Sequence, residues 1–177
     1  MADQDEKFLK IKQAYSDFEQ HLKDTGIGLV YDTEKGIYGT TSIDNIFRFF
    51  KEIKLQDYSD FIDLGCGDGR VVLVASLFTK AAGIEFSKEL IEAAIEIRDR
   101  LHLNCELIAA DYMEHDISKY DIVFMNPDQE FKALETKLNT ELKGPLFIYN
   151  ELFAPNTLKK GRKYWYGQIP IIKYEKE

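Results

Sequence analysis

Near the start of the chain, apolar side chains recur at Phe8, Ile11, Tyr15, Phe18 and Leu22, at intervals of 3, 4, 3 and 4. That spacing places them on one face of a helix over residues 3–24, which Gly26 ends. Such a face either packs on a core or closes over a site as a lid. Residues 26–38 read as loop, with Gly26, Gly28, Gly36 and Gly39 marking turns. A second helix carries Ile43, Ile46, Phe47, Phe50 and Ile53, and Thr41 with Asp44 resembles a capping box at its start.

From Asp60 onward the period changes, and short apolar runs alternate with helical stretches. Residues 61–64, 81–84, 106–109, 122–125 and 146–149 read as strands, the first ended by Gly65. Between them, 71–78 is a mostly apolar helix and Ser87 caps another through Leu101. Phe131, Leu134, Leu138 and Leu142 line a third, stopped by Gly144-Pro145. Strand–helix alternation of this kind implies a parallel sheet covered on both faces. The end differs: 163–166 and 169–174 read as two strands joined at Gly167-Gln168, an antiparallel hairpin.

A chain of 177 residues suits one domain over 1–177, with a helix and loop over 1–37 and the α/β core over 38–177. Its 45% hydrophobic and 31% charged residues are ordinary for a globular protein. The first residues are acidic and polar, unlike a secretory signal, and no apolar run approaches the ~18–20 residues of a membrane span. Cys66 and Cys105 lie in apolar segments, not at metal-ligand spacing, and no metal is expected. They read as reduced thiols of a cytoplasmic protein. The net charge of −8 is uneven: the chain from Lys159 onward carries a local +4, leaving −12 for the rest. An acidic body repels phosphate backbones and attracts basic partners.

The chemistry begins at Asp63-Leu64-Gly65-Cys66-Gly67-Asp68-Gly69, between a strand and a helix. Glycines there let the backbone turn tightly and let a ligand lie against it. A dinucleotide-binding turn needs a further glycine where Arg70 stands. Asp63 adds a carboxylate that suits a sulfonium or an amine and opposes a pyrophosphate. Glu85 ends the second strand of the alternating region, placed to accept both hydroxyls of a ribose. Asp111-Tyr112 follows the third, where an acid can accept an adenine amine and a tyrosine can close the pocket.

The run from Phe61 to Gly69, with Gly83-Ile84-Glu85, Asp111-Tyr112 and 121–127, resembles the class I S-adenosylmethionine-dependent methyltransferase motifs in order. Tyr38-Gly39-Thr40-Thr41, Gly67-Asp68-Gly69-Arg70 and Asn150-Glu151 are similar to the small archaeal protein-lysine methyltransferases and their histone-methylating relatives. The resemblance implies a Rossmann-like, doubly wound, mostly parallel seven-stranded sheet with a C-terminal antiparallel hairpin and an N-terminal helical extension. It implies S-adenosylmethionine as cofactor, held by Tyr38, Thr40, Asp63, Gly65, Gly67, Glu85, Asp111, Tyr112 and Asn126. Asn126, Tyr149 and Glu151 are then the residues to line an acceptor channel for a protein lysine.

Asn126-Pro127-Asp128-Gln129 begins like the Asn-Pro-Pro-aromatic motif that holds a planar nitrogen, but departs at Asp128 and Gln129. The alternative is that Asn126-Pro127 turns the chain and Asp128 caps the next helix. The basic, aromatic strip from Lys159 to Tyr166 could suit RNA. Side chains alternating along a strand would instead pack some of the aromatics and send the cations to solvent. Beside a methyltransferase acting on protein stand an RNA or small-molecule methyltransferase and a cofactor-binding subunit without turnover. A nicotinamide-dependent oxidoreductase is disfavoured by Arg70.

Overall fold

The computed structural model describes residues 2–177; Met1, the first residue of the domain expected over 1–177, lies outside the described residues. Helix α1 spans Ala2–Asp24 and buries Phe8, Ile11, Tyr15 and Leu22, the face that the apolar spacing marks. It lies on α2 (Ile43–Glu52), where Phe8 and Phe47 stack at 3.8 Å between ring centroids. Between these helices the expected loop is instead a hairpin of β1 (Val30–Thr33) and β2 (Gly36–Gly39), with Tyr31 opposite Tyr38. The division placed at 37/38 therefore falls inside a strand. The N-cap of α2 also differs. Ser42 accepts from the Asn45 N–H, while Thr41 is buried and gives its carbonyl to Arg70.

The seven-stranded sheet contains β3 (Asp60–Leu64), β4 (Lys80–Glu85), β5 (Glu106–Ala109), β6 (Ile122–Met125) and β7 (Leu146–Tyr149), all parallel. Strands β8 (Lys159–Trp165) and β9 (Pro170–Glu175) complete it antiparallel, in the order β5-β4-β3-β6-β7-β9-β8. This is the sheet that the alternation and the resemblance imply. Strand β8 begins four residues earlier than read from the sequence, with a register shift between Lys160 and Lys163. It is the outer strand of the sheet, and charged side chains with a bulge keep such an edge from pairing with another chain.

Alternation along the strands splits the core in two. Phe61, Ile122, Phe124 and Phe147 join Phe49 and Phe50 of α2 on one face. Ile62, Leu64, Val123, Met125 and Ile148 meet Leu134 and Leu138 of α5 (Lys132–Glu141) on the other. Helix α3 (Arg70–Ala75) is buried along its whole length and stops short of the expected Phe78. Helix α4 (Lys88–Arg100) starts at its Ser87 cap as read. The connections leave β3 for β4 on one side, and β6 lies on the other. A crevice therefore opens at the carboxyl ends of β3 and β6, where open α/β sheets bind ligands. No described helix is long and apolar enough to cross a membrane.

Candidate functional site

The turn after β3 bends because three of its residues adopt positive φ: Gly65 at 74°, Gly67 at 54° and Gly69 at 74°. Side chains rarely tolerate that region, so glycine is required. The N–H groups of Gly65 and Cys66 donate to the Ile84 carbonyl at 2.8 and 2.9 Å, tying the turn to β4. A Cβ at Gly65 would meet nothing within 4 Å, and this is where the backbone lies open to a ligand. A Cβ at Gly67 would sit 3.3 Å from the Tyr38 ring, so that glycine makes room for the hairpin.

The crevice holds a cavity of about 200 Å³. Asp63, Gly65, Gly67, Glu85, Asp111, Tyr112, Asn126 and Tyr38, all singled out from the sequence, line it. Thr40 and Tyr149 line a second, adjoining cleft instead. Glu151 lines neither and is ion-paired with Lys163. Asn126 is held by Asn150, whose side-chain N–H donates to the Asn126 amide oxygen at 2.7 Å and to the Pro127 carbonyl at 3.1 Å.

Three carboxylates in the cavity have different surroundings. Asp63 is 3% exposed, and burial drives its pKa well above the usual carboxylate range, with the charges of Glu85 and Asp68 adding to the rise. Glu85 accepts the Gly67 N–H at 2.9 Å and the Ser87 N–H at 2.8 Å, which fixes its orientation. Asp111 takes the Lys35 ammonium at 2.7 Å and the Met113 N–H at 2.9 Å, and these bonds lower its pKa. Burial raises the Tyr112 pKa, leaving a neutral phenol in the wall.

Several residues without an assigned role prove central. Asp68 and Arg70 are buried at the end of the turn, with Arg70 Nη2 donating to Asp68 Oδ2 at 2.6 Å. Arg70 also donates to Glu19 of α1 at 2.7 Å, Tyr38 donates to Asp68 at 2.8 Å, and Tyr15 donates to the Asp68 carbonyl at 2.7 Å. Burial opposes the Arg70 charge, but the Asp68 carboxylate overcomes it and the guanidinium pKa is raised. At the hairpin tip Lys35 lies 4.0 Å over the Phe86 ring, and the Ile37 N–H donates to Asp128 at 2.6 Å. Asp128 thus clamps the hairpin; the cap position of α5 is Phe131, which makes no side-chain cap bond. Only the Asp-x-Arg spacing within the turn hinted at any of this.

Comparison with known proteins adds to the geometry. Residues 31–160 match the family model described as histone methylation protein DOT1. A protein-lysine N-methyltransferase of Saccharolobus islandicus (strain REY15A) is 30% identical over 110 residues, which cover 56% of this chain and 66% of that relative. The chain therefore spans a little under two-thirds of that relative's length. An RNA methyltransferase from Salinibacter ruber, solved with S-adenosyl-L-homocysteine, has a TM-score of 0.65 at 20% identity, over 78% of this chain and 94% of its own. Magnesium protoporphyrin IX methyltransferase from Synechocystis PCC 6803 with bound SAM has a TM-score of 0.64 at 12% identity, over 76% and 78%. These two share the fold.

Proposed function

The chain belongs to the histone methylation protein DOT1 family, and from that premise we propose that it transfers a methyl group from S-adenosylmethionine to the amine of a protein lysine. The observation that carries this reading is Asp63: a buried carboxylate that opens on the cavity, with no cation among the groups that act on it. Such a group stays charged only if a positive ligand arrives. Beside it Gly65 leaves space that any Cβ would enter. These residues fit a ligand with a sulfonium and an amino group, and they oppose a pyrophosphate.

In this reading Asp63 and the Gly65 backbone hold the cationic end of the cofactor. Glu85, already oriented by two N–H donors, keeps free lone pairs for a ribose diol. Asp111 and Phe86 receive the adenine. When bound, the cofactor supplies an activated methyl carbon, so the chain's task is to align the acceptor and exclude water. Tyr38, pinned over the turn, and the hairpin tip on Asp128 close the cavity from above. Asn126 and Tyr149 line the acceptor's approach, and Glu151 stands further out, able to meet a cationic chain once it releases Lys163. A lysine, with an ordinary pKa of ~10.4, must lose a proton before it attacks.

Protein is favoured over RNA because two cations of the basic strip are already engaged. Arg162 and Lys163 pair with Glu52 and Glu151 on an edge strand, and the rest of the chain is acidic. Free thiols at Cys66 and Cys105 suit a cytoplasmic setting. Incubating the protein with labelled cofactor and an extract, then digesting parallel samples with protease and ribonuclease, tests the reading. Label released only by ribonuclease would overturn it. Glu85→Ala should weaken cofactor binding by about 1.5–3 kcal/mol for each charge-assisted bond lost. Calorimetry showing wild-type affinity would remove Glu85 from the site.

A further inference from the structure

Alongside the first cavity runs a second cleft of about 550 Å³ that shares Thr41 and Arg70 with it. Helix α1 contributes Tyr15 and Ser16, the start of α2 contributes Asn45, and the β8–β9 turn contributes Gln168 and Ile169; Tyr149 lines it from the end of β7. We propose that this groove docks the polypeptide that presents the acceptor lysine. The proposal rests on the protein-lysine reading above and adds where the substrate is recognised.

Three features of the groove specify its occupant. First, every charged side chain that lines it already has a partner. Lys12 sits on Asp44 at 2.8 Å, and Arg70 sits on Glu19 at 2.7 Å and on Asp68 at 2.6 Å. A cleft whose described cations are already paired offers a phosphate chain little to neutralise, which disfavours RNA as its ligand. Second, what remains is neutral and polar: the Ser16 hydroxyl and the Asn45 and Gln168 amides, with Tyr15 and Tyr149 buried in the wall behind them. Serine and asparagine supply adaptable hydrogen bonding at binding surfaces, which suits the amides of a polypeptide backbone. Third, the lip is apolar and uncovered. Ile169, which lines the cleft at the β8–β9 turn, is 45% exposed. Such a side chain suits an apolar residue flanking the lysine.

The position of the groove fits that role. It adjoins the cavity at Thr41 and Arg70, with Tyr149 of β7 in its wall. Two of its walls, α1 and the β8–β9 turn, lie outside residues 31–160 that match the family. The shared domain therefore supplies the methyl-transfer cavity, and the added flanks supply the docking surface.

A synthetic peptide library with a central lysine and scanned flanking positions is the probe. The wild type should prefer an apolar residue at one flanking position. Ser16→Arg and Ile169→Asp, both at exposed positions, should lower kcat/KM for the library about tenfold, through KM. Affinity for S-adenosylhomocysteine and thermal unfolding should stay as in the wild type. Variants that methylate the library like the wild type overturn the groove and leave the lysine reading intact. Variants that lose cofactor affinity in parallel also overturn it, since the effect then lies in the cavity. A wild type that labels RNA and no peptide overturns the lysine reading and the groove with it.

Discussion

Asp63 and Asp68 stand at opposite ends of the glycine turn, at 3% and 2% exposure, and their surroundings are opposite in kind. Asp68 accepts from Tyr38 and from the Arg70 guanidinium, which in turn reaches Glu19 of α1. Asp63 has burial and two like charges acting on it, and no cation. A buried ion that is fully paired holds elements together, and here it fastens α1 and the hairpin to the turn. A buried carboxylate with no counter-charge is costly to ionise, and a cationic ligand would relieve that cost. One turn thus carries a paired carboxylate at its end and, at its start, an unpaired one that the proposed function gives to the cofactor.

The most severe way to break this comparison is Asp68→Ala. It leaves the Arg70 charge buried without its main partner, and removing one member of such a pair costs about 3–5 kcal/mol. Denaturant unfolding should show that loss, and Asp68→Ala with Arg70→Met should recover part of it. A single-variant loss below about 1 kcal/mol would mean that the pair is no more than a surface-type bridge.

Asp63→Asn should do the reverse, sparing the fold and damaging the site. A carboxylate whose pKa is raised in the folded state contributes stability that is present below the unfolded pKa. That contribution is lost as pH rises through the folded value. At neutral pH the asparagine variant should therefore unfold no more easily than the wild type. Cofactor affinity should fall by about 1.5–3 kcal/mol per charge-assisted bond. Wild-type affinity should also rise with pH through the raised Asp63 pKa, because a cationic ligand binds the ionised form and displaces a proton. Calorimetry in buffers of different ionisation enthalpy would count that proton. A flat pH profile in the wild type would sink the assignment.

How far the sequence revealed these two roles follows from how local each signal is. Asp63, Glu85 and Asp111 each follow or end an apolar run, and the run marks where the strand stops. Their convergence on one cavity could be read without any distant contact. The Asp68–Arg70 network joins Tyr15, Glu19, Tyr38 and Arg70, residues brought together only by tertiary packing, and no periodicity reports that. The β1–β2 hairpin escaped for another reason. Its strands are four residues each, and among them only Tyr38 is buried, so no alternation stands out from a loop. Helix α3 is buried on every side, so its apolar run continued past its true end. Thr40 and Tyr149, read as site residues, line the neighbouring cleft; Thr40 does so because extended chain sends its side chain away from the side of Gly39 and Thr41.

The smallest effect concerns Asp111, the third carboxylate, which resembles Asp68 in being paired and Asp63 in lining the cavity. Its partner is Lys35 at the hairpin tip, an ion pair with half of the lysine side chain exposed. The same ammonium lies over the face of Phe86, the surface on which an adenine would stack. If Asp111 and Phe86 receive the base as proposed, Lys35 competes for both, and the cofactor must displace it. Exposed ion pairs are weak and screened by salt, so Lys35→Met should tighten cofactor binding by less than about fivefold. Moderate salt should tighten wild-type binding by loosening the competing pair, and should leave the variant unchanged. Titration at two ionic strengths checks both points. Weaker binding by the variant would show that Lys35 closes over the ligand rather than standing in its place, and Asp111 would then belong with Asp68 as a carboxylate that fastens the hairpin.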